Sequence, residues 1–187
     1  MKEIVQKEDK VLRQKAKEVP IGEITTSKIK KVLKEMSGAL RSQDDGVAIA
    51  APQIGCSLSI FLVSGKVFDK EFITNRDERF PGEKPVNEVV KSNKKTKDIV
   101  FINPKISKLS RDKEWLPEGC LSVRWLYGKT YRSKKAMITA YNEKGEKFQR
   151  GASGLLAQIF QHETDHLKGI LFIDHAEDVK EELPQKN

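Results

Sequence analysis

No apolar run in this chain approaches the roughly 20 residues that cross a bilayer, so a membrane partner is not expected. The opening, MKEIVQKEDKVLRQKAKEV, lacks the apolar stretch of a secretory signal. It also carries several acidic side chains, which argues against a transit peptide. A cytoplasmic location is the resulting expectation. Cysteine is scarce. Cys56 and Cys120 are the two present, too few in a chain of this length for a disulfide framework. Cys56 follows Ile54-Gly55 and reads as a small buried hydrophobe. Internal repeats and low-complexity segments are missing as well.

What is abundant is charge. Lys and Arg number 35 against 27 Asp and Glu, a formal net charge of +8. Such a surplus suits polyanionic surroundings such as a ribosome. No nucleic-acid-binding motif accompanies it, so a sequence-specific nucleic-acid partner is not expected and a solvated lysine face is the simpler account. With 187 residues, 37% of them hydrophobic, the chain suffices for one domain with a real core.

Ile29, Val32, Leu33, Met36 and Leu40 recur at three- and four-residue spacing within Ile24 to Ser42, which predicts an amphipathic helix with Thr26 or Ser27 at its N-cap. DDGVAIAAPQIG follows, small and apolar between turn residues. SLSIFLVSG (57–65) reads as a strand. Residues 66–98 are charged and aperiodic and read as a long excursion between two strands. DIVFINPKIS resumes strand character and is expected to stop at its proline. KAMITAYNEKGEKFQR has strand runs on either side of Asn142-Glu143-Lys144-Gly145, a hairpin signature. SGLLAQIFQHETDHLKG predicts a helix capped by Ser153 and ended by Gly169. The polar tail, DHAEDVKEELPQKN, is expected to fray. The fold class is α+β: a single domain over 1–187 with a mostly antiparallel sheet, an N-terminal amphipathic helix and a C-terminal metal-binding helix.

On that last helix His162 and His166 stand one turn apart on one face, where two imidazoles can hold one divalent metal. Glu163 is rotated about 100° from His162. It can lie beside the metal without ligating it, placed to take a proton from an attacking water. Ile159, Gln158 and Leu155 share the His162 side of the helix and imply a semi-buried site. A third ligand is required. His175, just beyond the helix, and Cys120, in EGCLS with Gly119 beside it, both qualify. Spacing does not decide between them.

EGCLS (118–122), QHETDH (161–166), GVAIAAPQ (46–53) and the opening DKVLRQKAKEV together resemble peptide deformylase, in order and placement over nearly the whole chain. The excursion at 66–98 corresponds to an enlarged loop of that family. The resemblance implies Cys120, His162 and His166 as ligands, Glu163 as the acid–base residue, and the Gln53 amide with the Leu121 backbone N–H as oxyanion donors. It implies removal of the N-formyl group from the initiating methionine of new polypeptides. The metal would be Fe2+ in the cell, with Zn2+, Ni2+ or Co2+ also able to occupy the site. Gly46, Val47 and Ala48 would run along the bound peptide. Leu116, Leu155 and Ile159 would wall a methionine pocket, and Glu118, Arg132 and Asp165 would support the ligands from behind.

The chain departs from the family pattern at three places. Ala48 replaces a glycine and Ile49 beside it a leucine, Arg124 follows Val123 where proline is usual, and Gln158 puts an amide among the pocket residues. These bear on substrate range and rate, not on the reaction class. Two other readings stand beside an active deformylase: a related metallohydrolase acting on another acylated amine, and a weakly active binding protein on ribosomes. An intact Glu163 argues against the second, since a binder needs no general base.

Overall fold

The computed structural model describes residues 2–68 and 97–183. Of the charged excursion expected at 66–98, all but its two ends lies outside the described residues, as do the last four of the tail. Helix α1 spans Ser27–Arg41 and α2 spans Gly154–His166. Five strands, β1 (Ala48–Ala50), β2 (Ile60–Val63), β3 (Ile99–Leu109), β6 (Lys135–Tyr141) and β7 (Lys147–Ser153), form one antiparallel sheet in the order β1-β2-β3-β6-β7. Three more, β4 (Lys113–Gly119), β5 (Leu126–Ser133) and β8 (Glu177–Glu181), form a second antiparallel sheet in the order β4-β5-β8.

The larger sheet lies between the two helices, and this explains its sequence. All four residues of β2 are buried. Phe61 and Val63 face the α2 side, where Phe61 stacks on Phe101 at 4.5 Å between ring centroids and Phe160 of α2 meets Phe101 edge-on at 5.2 Å. Ile60 and Leu62 face the α1 side with Ile29, Met36, Leu40 and Ile49. Strand β1 is divided the same way: Ala48 and Ala50 join the α2 core, Ile49 the α1 core. Burial on both faces suits a continuous apolar run.

Four expectations change. Strand β3 does not stop at Pro104 but runs on to Leu109 through a register shift between Ile102 and Lys105. Proline is tolerated at such an irregularity because it has no ladder hydrogen bond to lose there. The turn is fixed by Asn103, which adopts φ 49 and bonds both the N–H and the carbonyl of Val19. The tail does not fray over Glu177–Glu181, which pairs with β5 as an exposed edge strand. Thr26 and Ser153 occupy N-cap positions, yet neither side chain makes a capping bond; the Thr26 hydroxyl donates to Glu23 O instead. Cys56 is half-buried, not buried.

Candidate metal centre

Helix α2 forms because GLLAQIFQHETDH contains no proline and no glycine after its first residue. It ends where Gly169 turns left-handed, at φ 79. A Cβ there would lie 2.8 Å from the Arg13 carbonyl, so the chain both turns and passes close to its own N-terminal segment at this point. The result is that His162 and His166 face the turn that follows β4. Their rings are 4.8 Å apart between centroids and inclined at 74°. Cys120, in that turn, brings its Sγ to 3.2 Å from His166 Nε2. The ligand atoms of Cys120, His162 and His166 all lie within 4.8 Å of one another. His175 is not part of this group: it is 37% exposed and its Nε2 sits 3.6 Å from Asp165 Oδ2.

A carboxylate fixes the first imidazole. Glu118 Oε1 lies 2.6 Å from His162 Nδ1, which leaves Nε2 as the nitrogen free to ligate. Glu118 is itself held by Arg132, whose Nη2 and Nε donate to its two oxygens at 2.7 and 3.1 Å, and by the Thr130 hydroxyl at 2.6 Å. Arg132 also donates to Asp165 at 2.6 Å. Burial alone would raise the Glu118 pKa, but the charges of and hydrogen bonds from His162 and Arg132 overcome it and hold the carboxyl well below its ordinary range. The sequence-predicted trio of Glu118, Arg132 and Asp165 is thus brought together behind His162.

Glu163 is 3% exposed, and its Oε2 has no hydrogen-bond partner among the described residues. Burial pushes its carboxyl up to about 7, against the lowering effect of His162. Gln53 is buried with a defined orientation: Oε1 accepts from the Ala50 N–H at 2.7 Å, so Nε2 faces Ser122 Oγ at 3.2 Å and Cys120 Sγ at 3.5 Å. Leu121 follows Cys120, and its carbonyl accepts from Gln6 Nε2 at 3.2 Å.

The remaining predicted residues are more scattered. Leu116 is buried on the inner side of β4 and Leu155 is half-buried on α2, whereas Ile159 sits within the main core. Ala48 is 6% exposed and belongs to that same core. Val47 is half-buried. A Cβ on Gly46 would lie 3.0 Å from Leu40 Cδ1 and 3.2 Å from Leu40 O, so its smallness serves the packing against α1. Gln158 turns its amide away to Pro117 O at 2.8 Å and Glu118 Oε2 at 3.4 Å. Sequence reasoning missed Thr130, Ser122 and Gln161. Gln161 pins β5 to α2 by bonding both the N–H and carbonyl of Ser133. Its place beside the histidines was the available signal; Thr130 had none.

Two imidazoles and a thiol are a donor set suited to one divalent metal, and on the same helix Glu163 keeps a buried, unpartnered carboxylate oxygen that is not one of the three. The family model for polypeptide deformylase matches residues 1–182. Peptide deformylase 2 of Clostridium acetobutylicum is 35% identical over 174 residues, 93% of this chain and 94% of that protein. Peptide deformylase 1A, chloroplastic/mitochondrial, of Arabidopsis thaliana is 36% identical over 173 residues, and the chain spans 60% of its length. The crystal structure of peptide deformylase from Thermotoga maritima matches with a TM-score of 0.73 at 29% identity, covering 95% of this chain and 98% of that one. The Cys/His/His group and these likenesses agree, and the chain belongs to the peptide deformylase family, the enzymes that remove the formyl group from nascent peptides.

Proposed function

We propose that this chain deformylates the N-terminal methionine of newly made proteins at the Cys120–His162–His166 centre, with Fe2+ as the metal in the cell. The observation that carries the assignment is Glu163: a buried carboxyl next to a ligand, unpartnered at Oε2 and poised near neutrality. A carboxyl in that state can both accept and return a proton at physiological pH. A divalent metal on the three ligands would polarise a water and lower its pKa. Glu163 then takes the proton of the attacking water and passes it to the departing amine, so that formate and a free N-terminus are released.

The negative charge that develops on the formyl oxygen is met by the Gln53 Nε2–H and the Leu121 backbone N–H. Gln53 is oriented by the bond from the Ala50 N–H and Leu121 follows Cys120 directly, and preorganised donors of this kind are worth roughly 10²–10³ in rate. Glu118, backed by Arg132 and Asp165, holds His162 in one tautomer. Leu116 and Leu155 wall the space for the methionine side chain, with Ile159 behind them, while Gly46, Val47 and Ala48 follow the peptide. We assign the reaction to the cytoplasm, where formylated chains would be made, and the +8 charge suits work beside the polyanionic ribosome. No helix among the described residues is long and apolar enough to cross a membrane.

The test is anaerobic purification with metal analysis, then formate release from formyl-Met-Ala-Ser. About one equivalent of iron and turnover that stops on chelation are expected. A protein with one bound metal that releases no formate would overturn the activity and favour a different acylated amine.

A further inference from the structure

Arg124 is the departure that the reaction leaves unused, and its side chain is not a loose charge at the rim. Nη1 and Nη2 donate to the two carboxylate oxygens of Asp45 at 2.6 and 3.1 Å, and Nη2 also donates to Gln43 Oε1 at 2.7 Å. The Arg124 side chain is 19% exposed and its guanidinium lies 5.0 Å over the Trp125 ring. Its N–H donates to Gln6 Oε1 at 3.4 Å, and the same Gln6 amide donates to Leu121 O. Residues 79 apart in sequence are thereby latched: the loop that ends α1 and leads into β1, and the turn that carries Cys120 and Leu121. A cleft of about 370 Å³ opens between them, lined by Lys2, Glu3, Gln6, Gln43, Leu121 and Arg124 among others.

Ser42 and Gln43, which line this cleft, belong to the loop that leads into β1. That strand is paired on one side only, with β2, and is the end strand of its sheet among the described residues. An extended peptide can add to such an edge. At the Ala50 end, Gln53 caps the strand and faces Cys120, so the formyl group belongs there. A peptide running antiparallel to β1 from that point reaches Gly46, Asp45 and Gln43, which is where Arg124 closes the cleft. The guanidinium charge is met by Asp45, and Lys2, Glu3, Gln6, Ser42 and Gln43 make the lining mostly polar. Such walls suit small, uncharged polar side chains better than bulky apolar ones.

We propose that Arg124 is a specificity-determining residue: latched to Asp45 and Gln43, it closes a cleft that receives the second and third residues of the formylated peptide. This rests on the deformylase activity proposed above. The test compares formyl-Met-Ala-Ser-amide with formyl-Met-amide, both without a terminal carboxylate that Lys2 could attract. The measured quantity is the ratio of their kcat/KM values. Arg124→Ala should lower that ratio roughly three- to thirtyfold, mainly through KM of the longer substrate. Asp45→Asn, nearly isosteric, should lower it in the same direction and serves if Arg124→Ala does not fold. Lys66→Ala is the control. Its ammonium holds the same loop from elsewhere, through the Gln43 and Asp44 carbonyls, and its loss should leave the ratio unchanged.

An unchanged ratio in both latch variants overturns the proposal, and so does an equal fall on both substrates, which would make Arg124 a brace. Should wild type hydrolyse neither substrate, the activity assignment fails but the cleft is still measured. Binding of Met-Ala-Ser-amide and Met-amide is then followed by tryptophan fluorescence in a Trp115→Phe background, which leaves Trp125, beneath Arg124, as the reporter. A preference for the tripeptide that both variants diminish supports the proposal; a preference they leave intact refutes it.

Discussion

Glu118→Gln is the change that most directly tests how the metal centre is built. The carboxylate of Glu118 receives His162 Nδ1, Thr130 Oγ1, two Arg132 nitrogens and, at 3.4 Å, Gln158 Nε2. Every one of these partners presents a donor. A carboxamide of the same shape offers one acceptor oxygen and turns its own N–H groups towards either His162 or Thr130, so at least two donors are opposed. The Arg132 guanidinium keeps Asp165 as its partner, which limits the damage. Breaking one arm of a buried charge pair costs roughly 3–5 kcal/mol, and with Asp165 retained the lower end, about 3 kcal/mol, is expected for the metal-free protein. Metal affinity should fall about 10- to 100-fold, because His162 loses the contact that fixes its tautomer. Chelator competition at pH 7 measures the second effect and urea unfolding of the metal-free protein the first. The pH dependence has a definite sign. Glu118 is depressed in the folded state, so its stabilisation is present above the ordinary glutamate value of 4.5 and is lost as pH falls below it. The stability gap between wild type and Glu118→Gln should therefore be full at pH 7 and narrow below about 4.5. Metal affinity within twofold of wild type, together with a gap that ignores pH, would refute the arrangement.

Glu163→Gln should retain metal near wild-type content and lose roughly 10²–10⁴ in kcat, since it keeps the shape and removes the proton acceptor; near-normal turnover with metal bound sinks the acid–base role. Cys120→Ala should strip or greatly weaken metal binding while His175→Ala leaves it intact, read by metal content after dialysis, and a metal-free His175→Ala protein would reassign the third ligand. Ala48→Gly should lower stability by about 0.5–1 kcal/mol with kcat/KM unchanged, because the Ala48 methyl is packed in the α2-side core; a tenfold kinetic gain would mean that the methyl crowds substrate after all.

The parts of the fold legible in the sequence are those whose cause is local. Helices α1 and α2 follow from spacing, β2 from its run of β-formers, and the β6–β7 hairpin from Asn142 to Gly145, where Asn142 Oδ1 accepts from Lys144 N and Glu146 N. Strands β4 and β5 carry no comparable signal. KEWLPEG holds a proline and a glycine, and Trp115 and Tyr131 are left exposed facing one another across the pair. Strand β8 is wholly exposed and charged, so its pairing with β5, not its composition, makes it a strand. The N-terminal segment is equally illegible. It is held by the Lys17–Leu58 bridge and by Val5 N–H to Gln53 O, contacts that no local pattern announces.

The site divides along the same line. His162, Glu163 and His166 belong to one helix, and the helix period alone puts the two imidazoles on one face. Cys120 is 46 residues from His166, and the register of β4 against β5 delivers it. Spacing therefore left it level with His175 until the motif resemblance favoured it. That register also decides the support behind His162. Pairing Glu118 with Gly128 and Leu116 with Thr130 places Glu118, Thr130 and Arg132 on one side of the sheet, where the carboxylate meets both donors. The three departures then acquire different weights for physical reasons. The Ala48 methyl fills core, and Gln158 donates to β4 while its Oε1 lacks a partner among the described residues, so both act first on packing. Arg124 bridges two loops over a cleft beside Leu121 and is the one whose replacement should change what the enzyme accepts rather than how firmly it folds.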